Sequence, residues 1–275
     1  MGPEGHPRAG PHKYLLKEAY MVFQRPLLFP NKGALPPELI IFAIGPINQV
    51  IVMVVTELAW LVTALGPVTP AGREAVNQAL NVQDEWFARN APNMPEGREE
   101  RGVGLFQQVE EPSIHLLTAH WESVDQHGVW LESPENKAVF PTLGAYFELE
   151  KTTLFHVDDV QLFDATGAVG NVSLLESPVV SLERLTVAAE GRQAFDDAWR
   201  EVKGVLEEFA KPNVVKGGWR IEKESPALEE FVVGSGWPSV ERHGEFAASP
   251  GFPTYASAIE PLIAARDTKH YQRIL

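Results

Sequence analysis

The sequence predicts an α+β protein made of two similar units, and three observations support this prediction. A stretch of sequence occurs twice, at 115–134 and again at 231–250. Strand-like and helix-like segments follow one another in the same order in both halves of the chain. The composition, 44% hydrophobic and 22% charged over 275 residues, is typical of a globular protein with a substantial core.

The repeated stretch aligns without a gap. Its identical positions are Trp121, Ser123, Val124, His127, Gly128, Ser133 and Pro134, which recur as Trp237, Ser239, Val240, His243, Gly244, Ser249 and Pro250. Weaker matches extend the alignment towards the N-terminus. There Gly104 aligns with Gly218, and Glu110-Glu111-Pro112 with Glu224-Ser225-Pro226. A repeat of this length indicates a duplicated structural unit.

Charge and composition exclude several classes of function. The formal net charge is -14 and no basic cluster is present, which disfavours nucleic acid as a partner. The absence of cysteine excludes disulfides, thiolate zinc sites and cysteine nucleophiles. The N-terminus does not have the pattern of a secretory signal peptide, so a cytoplasmic location is expected.

Four segments are predicted along the chain. Residues 1–50 form an N-terminal arm, partly disordered or docked, rich in Pro, Gly and basic residues. Residues 51–163 are the first repeat, 164–178 a connector and 179–275 the second repeat. The apolar run Leu39–Leu65 is interrupted by Pro46 and Glu57, so it favours core or interface over a membrane anchor.

The elements of the first repeat follow from local signals. Thr69 and Pro70 are a cap and first residue typical of a helix, which the apolar spacing extends to about Asn90. Ser123, with Gln126 three residues later, caps a second helix. The predicted elements are a strand from Glu57, the helix to Asn90, strands at 103–110 and 114–121, the helix to Glu132, a short helix after Pro141 and a strand at 152–157.

The second repeat has the same order of elements. They are predicted as a strand at 179–188, a helix at 193–209, strands at 218–224 and 228–237, a helix at 240–247, a short helix at 254–264 and a strand at 269–274. The order β-α-β-β-α-β is that of a ferredoxin-like unit. The sequence therefore predicts two tandem ferredoxin-like units.

Each half also carries a short motif at the end of its third strand. The strand ends in Trp, Ser-x-Asp/Glu opens a helix that carries a His, and Ser-Pro follows; the two copies read W-E-S-V-D-Q-H and W-P-S-V-E-R-H. With the order of elements, this motif resembles the antibiotic biosynthesis monooxygenase (ABM) type of dimeric α+β barrel, over 56–163 and 179–275. The resemblance implies two units facing each other sheet against sheet, here as a pseudo-dimer within one chain. Further homodimerisation is left open.

The resemblance also implies a small hydrophobic ligand, bound between the sheet and the helices of a unit. The family includes cofactor-free monooxygenases, haem-degrading enzymes, lactone isomerases and stress proteins. The favoured expectation is an enzyme of secondary metabolism that oxygenates, isomerises or cyclises a hydrophobic polycyclic or phenolic molecule without a cofactor. The alternative is a non-catalytic small-molecule-binding or stress-response protein with the same pseudo-dimeric fold.

Histidines are the candidate bases, because an unperturbed imidazole titrates near neutral pH. His120 and His127 are the predicted catalytic residues. His115 and His120 are an odd number of residues apart on a strand, so they point to opposite faces. His120 is predicted to face the pocket, and a register slip would put His115 there instead.

Aromatic and polar residues near these histidines are the candidate binding residues. They are Trp86, Trp121, Tyr146, His115 and Phe106. The second-half residues Trp237, His243 and Trp219 are predicted to be structural, since identity between the halves usually marks architecture. A metal site formed by His120, His156 and Asp158 is disfavoured. The sequence contains no phosphate-loop motif, so NAD, FAD and ATP are not suggested as cofactors.

Overall fold

The computed structural model describes residues 54–164 and 171–275, and the predicted N-terminal arm lies outside them. Its strands are β1 (Val55–Val62), β2 (Gly104–Gln108), β3 (Ile114–Trp121), β4 (Thr153–Val157), β5 (Val179–Ala188), β6 (Val215–Trp219), β7 (Leu228–Trp237) and β8 (Ile263–Arg273). Its α-helices are α1 (Pro70–Asn90), α2 (Val124–Glu132), α3 (Pro134–Val139), α4 (Arg192–Ala210), α5 (Val240–Gly244) and α6 (Phe252–Ile259).

The strands form one antiparallel sheet that contains both halves of the chain. Their order is β4-β1-β3-β2-β8-β5-β7-β6, so β2 of the first half pairs with β8 of the second. At the other junction Val157 bridges to Arg220, and the Asp158 amide donates to the Trp219 carbonyl at 2.8 Å. These two junctions close the sheet and relate the halves by a pseudo-twofold axis. The predicted intrachain pseudo-dimeric α+β barrel is confirmed.

The helices cover the outer face of each half, and the inner faces of the two halves meet. The interior core is built from strand residues of both halves. Four residues between β4 and β5, Leu162, Phe163, Leu174 and Leu175, also insert into it, each at most 3% exposed. Burying side chains of this size stabilises the fold by about 1.5–3 kcal/mol each. The interior of the barrel is therefore packed with side chains.

Side-chain caps begin the helices where the sequence predicts them. The Thr69 hydroxyl accepts a hydrogen bond from the Gly72 amide, and the Ser123 hydroxyl one from the Gln126 amide, both at 3.1 Å. Ser239 caps α5 in the same way. A hydroxyl engaged with a helix terminus stabilises that terminus, so both repeated serines have a structural function. None of the described helices has the length and apolar content needed to cross a membrane.

Two elements of the second half differ from the prediction. The structure has β6 at Val215–Trp219 and not at 218–224. The Arg220 amide still donates to the Glu230 carbonyl of β7, but the chain from Ile221 onwards pairs with β4 of the first half. β8 begins at Ile263, within the predicted short helix, because the long strand β5 offers it a partner from Val187 to Val180.

The shift of β6 also corrects the alignment of the repeats. Gly104 pairs with Thr118, whereas Lys216 pairs with Gly234. Thr118 and Gly234 both lie three residues before the repeated tryptophan, so Lys216, and not Gly218, is the structural counterpart of Gly104. The chance identity of two glycines caused the error.

Candidate functional site: a buried carboxyl and histidine pair

The two histidines of β3 lie on opposite faces of the sheet. His115 faces the helices, where its Nε2 accepts a hydrogen bond from the Val68 amide at 3.1 Å. His120 shares its face with Leu116 and points into the barrel interior, where its Nε2 accepts from the Phe163 amide at 3.2 Å. The expectation that His120 faces the space between sheet and helices is therefore wrong, because the register of β3 turns the even-numbered residues inwards.

His120 is held in place by close packing. A Cβ atom added at Gly102 would lie only 2.3 Å from the imidazole ring, so glycine is needed for the ring to fit. Burial, and secondarily the nearby charge of Lys216, lowers the pKa of His120 to about 3. The imidazole is therefore neutral at physiological pH and contributes to the packing of the interior.

The other predicted binding residues are dispersed. Phe106 lies in the barrel interior against Phe163, with 5.2 Å between ring centroids. Tyr146 is half-buried at the end of the turn that follows α3 and packs beside Gly72. Trp219 lies in the second half and donates through its Nε1 to Asp196 at 2.8 Å. None of these side chains is brought next to His127.

Trp121 and Trp86 are the predicted residues that do meet near His127. Trp121 is fully buried between β3 and α1, with its ring centroid 4.8 Å from Phe87 and 6.2 Å from Trp86. Trp130 of α2 packs on Trp86 at 5.5 Å. The His127 ring stacks on Trp121, with 4.3 Å between centroids and 19° between planes.

A chain of polar contacts runs through this aromatic cluster. Trp121 Nε1 donates to Glu57 Oε2 at 2.7 Å, and His127 Nε2 lies 3.5 Å from the same oxygen. On its other side His127 Nδ1 lies 2.8 Å from His156 Nε2. Glu57 and His156 are paired directly across β1 and β4, so the sheet register brings them together.

Burial sets the charge of this group. It raises the pKa of Glu57, although His156 and the hydrogen bond from Trp121 act in the opposite direction. Burial, and secondarily the neighbouring His156, lowers the pKa of His127 well below its ordinary value. The two shifts together favour an un-ionised carboxyl beside a neutral imidazole. A carboxyl and an imidazole with pKa values moved towards each other can exchange a proton, which is the chemistry of a general acid and base.

The second half has the same arrangement without the carboxyl. His243 stacks on Trp237 at 4.6 Å and its Nδ1 lies 2.8 Å from His270 Nε2. Ser181 takes the place of Glu57, and the Trp237 Nε1 donates to Ser181 Oγ at 3.1 Å and to Ser235 Oγ at 2.9 Å. The tryptophan and histidines are thus common to both halves, whereas Glu57 belongs to the first half alone.

Sequence reasoning missed Glu57 and assigned His156 only to a disfavoured metal set. A signal for Glu57 was present, because a carboxylate on the buried face of an apolar strand is rare. The repeat alignment also places Ser181 opposite it. Within 54–164 and 171–275 no group of three or more ligand side chains is arranged to hold a metal ion, and His120 and His156 lie on opposite faces of the sheet.

An open depression of about 800 Å³ lies on the surface above this cluster. Trp86 lines it from α1, and Asp125, Gly128 and Val129 line it from α2. Trp86 therefore forms part of both the depression and the buried cluster. His127 itself is 2% exposed and is not among the residues that line the depression.

Comparison with solved structures finds proteins of the same fold. A protein provisionally named a monooxygenase from Fusobacterium nucleatum matches at a TM-score of 0.50 and 10% identity, over 81% of this chain and 93% of that one. An anthrone oxidase-like protein matches at 0.50 and 12%, over 81% and 92%. The cofactor-independent oxygenase SnoaB from Streptomyces nogalater covers 35% of this chain and 93% of its own, at a TM-score of 0.28 and 19% identity.

The first two matches show the fold, a dimeric α+β barrel. In this chain a single polypeptide supplies both units of the barrel. No protein-family model and no curated protein matches the sequence.

Proposed function

We propose that the protein is a cofactor-independent oxygenase, or an isomerase or cyclase of the same substrate class, acting on a hydrophobic phenolic or polycyclic molecule. The observation that carries the proposal is Glu57, a buried carboxyl in contact with Trp121 and next to His127, at a position that the second half fills with Ser181. A buried carboxyl is costly to a fold, so its presence in only one of two copies favours a function over a role in packing.

In this proposal His127 is the base. Its Nε2 accepts the phenolic or activated C–H proton of the substrate, and the Glu57 oxygen 3.5 Å away accepts a hydrogen bond from the imidazolium that results. The aromatic cluster around Trp121 excludes water, so the resulting carbanion persists until it reacts with dioxygen or rearranges. His120, which faces the barrel interior and the connector, takes no part.

The substrate enters from the depression lined by Trp86 and Gly128. Trp86 stands between that depression and Trp121, so its side chain has to move for a ligand to reach His127. Gly128 has open space where a side chain would stand, which leaves room for a ligand beside α2. A flat aromatic molecule stacked on Trp121 would fit the chemistry of this wall.

The test is turnover of a panel of polycyclic phenols and quinols in air-saturated buffer, followed by oxygen uptake and mass spectrometry. We expect His127→Gln to lower kcat by roughly 10²–10⁴-fold. Glu57→Gln, which keeps the shape and the hydrogen-bond acceptor, should lower kcat with little change in the thermal midpoint. Ser181→Ala is the matched control in the second half and should leave turnover unchanged. Equal losses from Glu57→Gln and Ser181→Ala would refute the proposed asymmetry.

A second candidate is a non-catalytic binding or stress-response protein. The observation that favours it is the packing of side chains in the barrel interior and around His127, which is 2% exposed. Binding of a panel member without any oxygen uptake or product in the wild-type protein would support this candidate against the enzyme.

A further inference from the structure

In each half, the histidine pair ends on a glutamate from the other half. His156 Nδ1 lies 2.6 Å from Glu222 Oε1, and the His156 amide donates to Glu222 Oε2 at 2.8 Å. At the position related by the pseudo-twofold axis, His270 Nδ1 lies 2.6 Å from Glu110 Oε1, and the His270 amide also donates to that carboxylate. The first-half site thus contains a residue of the second half.

Both glutamates are ionised and partly exposed. Burial raises the pKa of Glu222, but the hydrogen bonds from the His156 side chain and amide outweigh it, so the pKa is lowered. Glu110 is held in the same way by His270, and its pKa is also lowered. An ionised carboxylate only accepts hydrogen bonds, so the proton between each glutamate and its histidine belongs to the imidazole Nδ1.

This proton fixes the tautomers of the whole chain. When Nδ1 carries the only ring hydrogen of His156, its Nε2 offers a lone pair and accepts a hydrogen bond from His127 Nδ1. His127 therefore carries its hydrogen on Nδ1 as well, and its Nε2 presents a lone pair towards Glu57. Glu222 contacts His156, and His156 contacts His127. Through these two contacts the charge of Glu222 decides which nitrogen of His127 is free to accept a proton.

We propose that Glu222 is a positioning residue supplied by the second half, which holds His127 in the tautomer that accepts the substrate proton. This inference rests on the proposed function of His127. Glu110 makes the equivalent contact with His270 of the second half, where Ser181 replaces Glu57. It therefore joins the two halves without taking part in a reaction. The second half is then required for the chemistry of the first.

The experiment compares Glu222→Gln with its mirror variant Glu110→Gln in the full chain, with Glu222→Asp as a conservative rescue. Ring ¹⁵N NMR distinguishes protonated from unprotonated imidazole nitrogens. In the wild-type protein we expect His127 Nε2 to be unprotonated. In Glu222→Gln the side-chain amide can donate to His156, so a second tautomer of His127 should become visible. Glu110→Gln should leave the His127 signals unchanged.

Turnover gives the second readout. We expect Glu222→Gln to lower kcat by at least about tenfold with little change in KM, because it acts on protonation and does not touch the substrate. Glu110→Gln should keep the wild-type kcat, and Glu222→Asp should recover part of it. Both glutamine variants should lose similar thermal stability, since each removes one equivalent contact between the halves.

The outcomes separate the inference from the proposed function. Equal loss of kcat in the two glutamine variants, or unchanged His127 signals in Glu222→Gln, would overturn the positioning role even if the protein is an oxygenase. A tautomer change in Glu222→Gln together with no turnover of any substrate by the wild-type protein would support the positioning of His127 and overturn the proposed reaction.

Discussion

The acid sensitivity of the fold should depend strongly on His120. Its pKa is lowered from 6.5 to about 3 in the folded protein, so the unfolded chain binds a proton there at pH values where the folded one does not. The stability due to this group is fully present above pH 6.5 and falls as the pH decreases towards 3. Between about pH 7.5 and about pH 4.5 the loss is about 2.7 kcal/mol, the free energy of protonating such an imidazole two units below its ordinary pKa.

The change His120→Gln isolates this contribution. Glutamine can place an oxygen near the Nε2 position and still accept from the Phe163 amide, but it does not titrate. The variant should be less stable than the wild type at about pH 7.5, because the ring no longer fills its site against Gly102. At about pH 4.5 the difference in the free energy of unfolding should be smaller by about 2.7 kcal/mol.

Urea unfolding at the two pH values, followed by tryptophan fluorescence, measures this difference. The other buried histidines titrate in both proteins, so their contributions cancel in the comparison. A difference between wild type and variant that stays the same at the two pH values, within about 0.5 kcal/mol, would show that His120 is not held neutral by burial.

Four further changes test the packing. Gly102→Ala should cost at least about 1–2 kcal/mol, because the residue has a φ of 63° and its new Cβ would meet the His120 ring; urea unfolding measures it. Gly204→Ala, on the open face of α4, should instead stabilise the protein by about 0.5–1 kcal/mol. Leu116→Ala in the barrel interior should cost about 2–5 kcal/mol, whereas Leu65→Ala, at 91% exposure, should change the thermal midpoint little.

Much of the fold could be predicted because its signals are local. The caps at Thr69 and Ser123 and the apolar spacing of α1 depend on neighbouring residues, and the repeat adds the second copy. The error at β8 arose because the long strand β5 of the same half offers it a partner. The error at β6 arose because a partner from the other half decides where the strand ends. β6 ends at Trp219 because the following residues pair with β4, and no local pattern contains that information.

The connector region shows the same limit. Leu162 and Phe163 lie at the end of the predicted first repeat, and Leu174 and Leu175 lie in the predicted connector. Neither pair falls in a segment predicted as a strand or a helix. Their destination, the barrel interior, exists only after both sheets have formed. The two apolar pairs in a glycine-containing loop could have indicated burial, because exposed loops rarely contain consecutive large apolar residues.

For the site, the sequence predicted which residues recur but not which of them meet. His127 and Trp121 were identified, and the structure stacks them. Glu222 could not be found by alignment of the repeats, since the loop after β6 was aligned two residues out of place. Its contact with His156 also spans the two halves of the barrel.

Fusion of two units into one chain gives a physical reason for this asymmetry. In a homodimer a residue that lies beside the tryptophan of one subunit lies beside it in both. A buried carboxyl there would lower the stability of the fold twice. One chain can keep Glu57 in the first half and place Ser181 in the second, whose hydroxyl accepts the Trp237 hydrogen bond without burying a carboxyl. The first-half histidine pair cannot diverge as freely, because losing Glu222 leaves the buried His156 N–H without an acceptor, a penalty of about 1–3 kcal/mol. Contacts that cross between the halves are therefore retained in both copies, and the residue that differs is the one whose contacts stay within its own half.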